Sequence, residues 1–98
     1  MDLVGPDRDM VVELKDRLAG LGLRYDAVIL AASHTHSGPG GFSRSRLFGF
    51  LALDSLVPAI REHLLRGMTE AAWEADRAKA PARVGVGRGE VRDVIRSR

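Results

Sequence analysis

The segment Ala27-Val28-Ile29-Leu30-Ala31-Ala32 constrains the fold most. It is a short, continuous apolar run with β-branched residues at its centre. Such a run predicts a strand buried on both faces, and that strand calls for a sheet flanked by helices. The neighbouring sequence supplies helical patterns on each side. Met10, Val11, Leu14 and Leu18 recur at three- and four-residue spacing, with Asp7 placed near the N-cap and Gly20 and Gly22 at the end. From about Asp54 to Lys79 a longer helix is predicted, with Leu56, Ile60, Leu64, Met68, Ala71 and Ala75 as its apolar stripe. Asp54 or Ser55 is placed to cap it, and Pro58 fits only in its first turn. Gly67 weakens its interior by about 1 kcal/mol relative to alanine. Pro81 ends it.

Leu3-Val4-Gly5 reads as the end of a short strand that Pro6 breaks. Val84-Gly85-Val86-Gly87 reads as another strand, with Val91 to Ile95 a candidate for one more. The expected class is therefore α/β: a partial sheet with flanking helices, in the order strand, helix, strand, helix, strand. The first strand is very short, and nothing follows the last to cover it. Residues 1–98 are accordingly expected to form an incomplete domain.

Composition narrows the classes of function. A chain of 98 residues holds one domain at most. Apolar residues are 45% and charged residues 29%, which argues against disorder. The net charge is only +2, and the arginines lack interleaved aromatics, so a nucleic-acid partner is not expected. The chain contains no cysteine, which excludes disulfides, thiolate metal sites and thiol catalysis. No apolar run approaches the roughly 20 residues of a membrane span. Asp2, Asp7 and Asp9 leave the first ten residues unlike a signal peptide.

The residues suited to chemistry lie together after the apolar run. In an extended segment, positions i and i+2 face the same side, so His34-Thr35-His36 brings two imidazoles together. First-row metals take neutral imidazole nitrogen, and a catalytic zinc keeps three protein ligands and an open position. Two loop histidines bonded to nearby backbone would produce the same spacing. In Ser37-Gly38-Pro39-Gly40-Gly41 the glycines allow close backbone approach to a ligand, and a plain tight turn would use them equally well. The fingerprint-like Gly85-Val86-Gly87-Arg88-Gly89 has Glu90 where a dinucleotide-binding loop needs its third glycine, so a strand with a bulge is the simpler reading. His63 and Trp73 are expected to be an exposed helical side chain and a packing residue. Most of Arg44, Arg46, Arg83, Arg88, Arg92 and Arg98 read as solvated surface charges.

The stretch Ala31-Ala32-Ser33-His34-Thr35-His36-Ser37-Gly38-Pro39-Gly40-Gly41-Phe42 resembles the signature of the neutral/alkaline, non-lysosomal ceramidases. Two weaker likenesses sit in the same order. Asp2-Leu3-Val4 and the helix after it resemble the segment before the signature. Ile95-Arg96-Ser97 resembles a downstream Ile-Asn-Arg-Ser segment, without its asparagine. The resemblance implies that residues 1–98 are a slice of a much longer N-terminal catalytic domain. It implies hydrolysis of the ceramide amide to sphingosine and a fatty acid, with zinc as cofactor and an N-acyl lipid, at a membrane surface, as substrate. It assigns His34 as a zinc ligand, His36 as the catalytic histidine at the reacting group, and Arg96 as a substrate-holding residue. Gly38, Gly40 and Gly41 become the substrate-facing loop. The family's other ligands, a second histidine, a glutamate and a tyrosine, come from later segments, and Tyr25 precedes the signature. A secreted, periplasmic or membrane-associated location is implied. Two alternatives accompany this reading: an inactive remnant that keeps the motif, and a small anion-binding module.

Overall fold

The computed structural model describes residues 1–50, 54–90 and 92. Among these residues there are three α-helices, α1 (Arg8–Gly20), α2 (Arg46–Phe48) and α3 (Pro58–Arg77), and Gly49 and Phe50 are π-helical. No strand occurs among the described residues. The expected α/β architecture is thus not found; among the described residues the regular structure is all-helical.

Helix α1 follows its sequence signals closely. The Asp7 carboxylate accepts the Met10 N–H at 2.8 Å, satisfying one of the free donors of the first turn. Met10, Leu14 and Leu18, four residues apart, form the buried face. At the other end Gly22 adopts φ +81°, a conformation that disfavours residues bearing a Cβ. The Gly22 N–H reaches the Ala19 carbonyl and the Leu23 N–H reaches the Leu18 carbonyl. This is the Schellman arrangement, and its usual apolar contact is present because Leu23 packs on the cluster containing Leu18.

Helix α3 starts later than expected. Val57 is its N-cap residue, with no side-chain capping bond, and Pro58 occupies the first turn. Asp54 and Ser55 therefore do not cap it. The buried face is also rotated from the expected stripe. Ile60, Leu64 and Met68 pack inward as expected, but Leu65 is fully buried and Ala72 joins it, whereas Ala71 and Ala75 are exposed. Leu56 lies outside the helix and is exposed.

The two long helices pack against each other over two apolar clusters. One contains Leu3, Met10 and Phe42; the other contains Leu14, Leu18 and Leu65. Leu30 and Met68 touch both clusters and join them.

Ala27–Ala32 runs across this pair, but not as a doubly buried strand. Val28, Leu30 and Ala32 face the helices, while Ile29 is 87% exposed. The segment covers the helices with alternate residues and turns the others to solvent, the period-two behaviour of a chain with one buried face. Its backbone has one neighbour near its end. The Met1 amino group donates to the Ala31 carbonyl at 3.1 Å, and the Ser33 N–H donates to the Met1 carbonyl at 3.1 Å. This is a single rung in parallel register.

Leu3 and Val4 pack on the first cluster without forming a strand. The expected strand at Val84–Gly87 is likewise absent: Val84 and Val86 are 94% and 97% exposed. Valine spacing alone does not make a strand where both side chains stand open to solvent. The candidate strand Val91–Ile95 lies, apart from Arg92, outside the described residues.

Candidate functional site

Residues 33–45 connect the extended segment to α2, and both ends of this loop are fastened. At the entry, His34 adopts φ +60° and its Nδ1 lies 2.7 Å from the Val4 carbonyl oxygen. A carbonyl only accepts, so in the neutral ring the proton sits on Nδ1 and the lone pair on Nε2. That is the tautomer of a metal-ligating histidine oriented by a backbone carbonyl. His36 meets His34 edge to face, with ring centroids 5.1 Å apart and an interplanar angle of 88°. The imidazoles do come together, but not by simple strand alternation, because left-handed His34 interrupts the extended path. Both histidines are exposed.

The glycines have distinct structural tasks. A Cβ on Gly38 would stand 2.5 Å from the Asp2 carbonyl oxygen, so only glycine lets the loop approach the N-terminal segment this closely. Gly41 has φ +69°, and a Cβ there would meet the Val57 side chain at 3.2 Å. Its carbonyl accepts the Val57 N–H at 2.7 Å, linking the loop to the start of α3. Gly38 and Gly40 line, with His36, a cavity of about 170 Å³. Asp54 lines it too, at φ +61°. Sequence reasoning placed Asp54 at a helix cap and so missed it here.

The exit of the loop is held by buried groups. Phe42 is fully buried between Leu3 and Met10. Its carbonyl accepts Arg61 Nη1 at 2.9 Å. Arg61 is itself only 3% exposed. Its Nε and Nη2 donate to Glu13 Oε2 at 3.3 and 3.1 Å, and Nη1 lies 3.4 Å from Asp7 Oδ2. Asp7 Oδ2 also accepts the Arg44 N–H at 3.2 Å. Burial works against the Asp7 charge. The Met10 N–H, the Ser43 hydroxyl, Arg61 and the Arg44 N–H outweigh it, and hold the carboxyl below its ordinary range. Glu13 is lowered as well: burial opposes its charge, but Arg17, Arg61 and Arg44 prevail. Removing one partner of such a buried pair costs about 3–5 kcal/mol. No sequence signal marked Arg61, since a charged residue within an apolar stripe reads as solvent-facing.

Of the other sequence candidates, Arg44 belongs to the exit of this loop, and His63, Trp73 and Arg92 lie outside it. His63 is exposed on α3, with Nδ1 3.4 Å from Arg66. Trp73 is 37% exposed and stacks under Arg77, whose guanidinium carbon lies 4.5 Å from the ring centroid. Arg44 pairs with Glu13 and Arg92 with Glu90. Arg96 lies outside the described residues.

The donor set fits zinc only in part. His34 has the right tautomer and His36 stands beside it, but no three histidine, aspartate or glutamate side chains gather as a metal set among the described residues. A complete set requires donors beyond those described.

Most of this chain is similar to part of the neutral ceramidases. It is 35% identical to the neutral ceramidase of Pseudomonas aeruginosa over 97 aligned residues, covering 91% of this chain and 13% of that protein. It is 36% identical over 67 residues to neutral ceramidase A of Dictyostelium discoideum, and 33% identical over 82 residues to neutral ceramidase B of the same organism. Those two alignments cover 68% and 83% of this chain. The chain spans 9–13% of the length of these relatives. No family model matches it, and no solved structure matches it. The chain is a neutral ceramidase-like segment.

Proposed function

We propose that this chain supplies part of the active site of a zinc-dependent hydrolase acting on the amide of ceramide or a related N-acyl lipid. The single observation carrying this reading is His34: an exposed imidazole whose Nδ1 is committed to the Val4 carbonyl, leaving Nε2 free to ligate. The likeness to proteins named neutral ceramidases supports the choice of substrate class.

His34 would provide one zinc ligand, the others coming from beyond the described residues. Bound there, zinc supplies Lewis-acid polarisation of the amide carbonyl. His36, packed against His34 and open to the cavity, is positioned for proton work at the scissile bond. Its imidazole can donate to the carbonyl oxygen as negative charge develops there, or to the departing amine nitrogen. Gly38 and Gly40 let the backbone line that cavity without side chains in the way.

The test is hydrolysis of a fluorescent short-chain ceramide, with zinc content measured in parallel, using the protein expressed from its complete gene. His34→Ala is expected to lose bound zinc and hydrolysis together. His36→Ala is expected to keep zinc and lose about 10²–10⁴-fold in kcat, the usual worth of a general acid–base group. A His34→Ala protein with wild-type activity would overturn the assignment.

A further inference from the structure

We propose that Arg61, acting with Asp7, is a positioning residue for the loop that carries His34 and His36. The kinetic part of this proposal rests on the hydrolase reading above. The structural part rests on the loop alone.

The loop is fastened differently at its two ends. Its entry is tied to the N-terminal segment through His34 and Ser33. At its exit the Phe42 carbonyl is held by Arg61 at 2.9 Å, and the Arg44 N–H by Asp7 at 3.2 Å. Arg61 also reaches Glu13 and Asp7, so one side chain of α3 joins the loop, α1 and the segment before α1.

Stability alone does not call for an arginine there. A buried ion pair is often no more stabilising than apolar residues of the same volume. A guanidinium adds direction: its rigid planar fork fixes three acceptors at once in one geometry. Here those acceptors are two carboxylates and the carbonyl of Phe42. Fixing that carbonyl fixes the following peptide plane and the end of the glycine run. This sets where the loop's backbone N–H groups and imidazoles stand.

The decisive comparison uses the protein expressed from its complete gene, carrying Arg61→Met together with Asp7→Asn. Asparagine retains N-capping ability, and methionine fills the buried site without charge. Arg61→Lys is the conservative variant. Glu62→Gln is the control, since among the described residues Glu62 hydrogen-bonds to Arg17 and not to Arg61 or the loop. Two readouts are taken: the ¹⁵N imidazole signals of the histidines, and kcat and KM on a fluorescent short-chain ceramide. The double variant is expected to stay helical and to lose about 10- to 100-fold in kcat, the scale of a roughly 1 Å misplacement. KM is expected to change by less than about threefold, because binding far from the loop is retained. In the zinc-free protein, where no metal fixes the ring, its His34 signals should move from a fixed Nδ1–H tautomer toward the average of a free ring. Arg61→Lys should recover part of both losses, and Glu62→Gln should resemble the wild type.

A folded double variant with wild-type kcat and wild-type imidazole signals overturns the proposal. If the wild type hydrolyses no ceramide, the hydrolase reading fails by itself and the imidazole signals decide the positioning role. If the double variant does not fold, Arg61→Lys decides: wild-type signals in that protein overturn the role, and averaged signals support it.

Discussion

The Nδ1 of His34 lies 2.7 Å from the carbonyl oxygen of Val4, although thirty positions of sequence separate the two residues. One N-terminal residue thereby orients a ring in the candidate site and selects which of its nitrogens donates. The contact depends on the N-terminal segment lying close against the loop, and that closeness has one narrow point.

The narrow point is Gly38. Alanine there would place its Cβ 2.5 Å from the Asp2 carbonyl oxygen and 3.3 Å from Thr35 Cγ2. The N-terminal segment would have to move away, taking Leu3 and Val4 with it. Gly38→Ala is expected to destabilise by about 1–3 kcal/mol, the usual cost of overpacking. It should also release the His34 tautomer. Urea unfolding followed by circular dichroism, with ¹⁵N imidazole spectra of the same sample, checks both. Unchanged stability and an unchanged tautomer would mean that this approach is not tight.

Acid should weaken the chain through Asp7 and Glu13. Both carboxyls are held below their ordinary ranges in the folded state. Their contribution is therefore complete above the unfolded values of about 4 and is lost as pH falls through the folded values. The groups facing them are the guanidiniums of Arg17, Arg44 and Arg61, which stay charged throughout. Denaturant midpoints measured between pH 6 and about 3 should fall on the acid side. Asp7→Asn should flatten that fall while keeping the α1 cap. A slope identical to wild type in the variant would show that Asp7 contributes nothing to it.

Gly67 offers a change in the other direction. It lies inside α3, and a Cβ there meets nothing within 4 Å. Gly67→Ala is expected to stabilise by about 0.5–1 kcal/mol, through lower backbone entropy in the unfolded chain. A raised thermal midpoint with unchanged cooperativity is the expected observation. A lowered midpoint would place a close neighbour at this position.

The helices were legible in the sequence because their signals are local. Asp7, the Met10–Leu14–Leu18 spacing and Gly22 each act within a few residues of the helix they define. Pro58 likewise announced the first turn of α3. Which face of α3 turns inward was less legible. Arg61 is buried by partners on α1 and in the loop, and nothing near it in sequence reveals them. Its burial brings Leu65 inside and leaves Ala71 and Ala75 outside. The Ala27–Ala32 run showed that these residues seek cover, but not how many faces would find it. Only alternate residues do, because the helices pack on one side. Val84 and Val86 had the composition of a strand, but both side chains stand in solvent. In the candidate site the clustering of His34 and His36 was visible in the spacing, whereas the left-handed turn at His34 and the arrival of Asp54 beside His36 depend on contacts between distant segments.

The Asp7 carboxylate uses one oxygen to begin α1 and the other to hold the Arg44 amide at the loop's exit. Opening the loop therefore disturbs the first turn of the helix, and fraying of that turn loosens the loop. The two behave as one cooperative unit, and the amides of Met10 and Arg44 should exchange with solvent at a common opening free energy. Order at the histidines is in this way tied to the first turn of a helix.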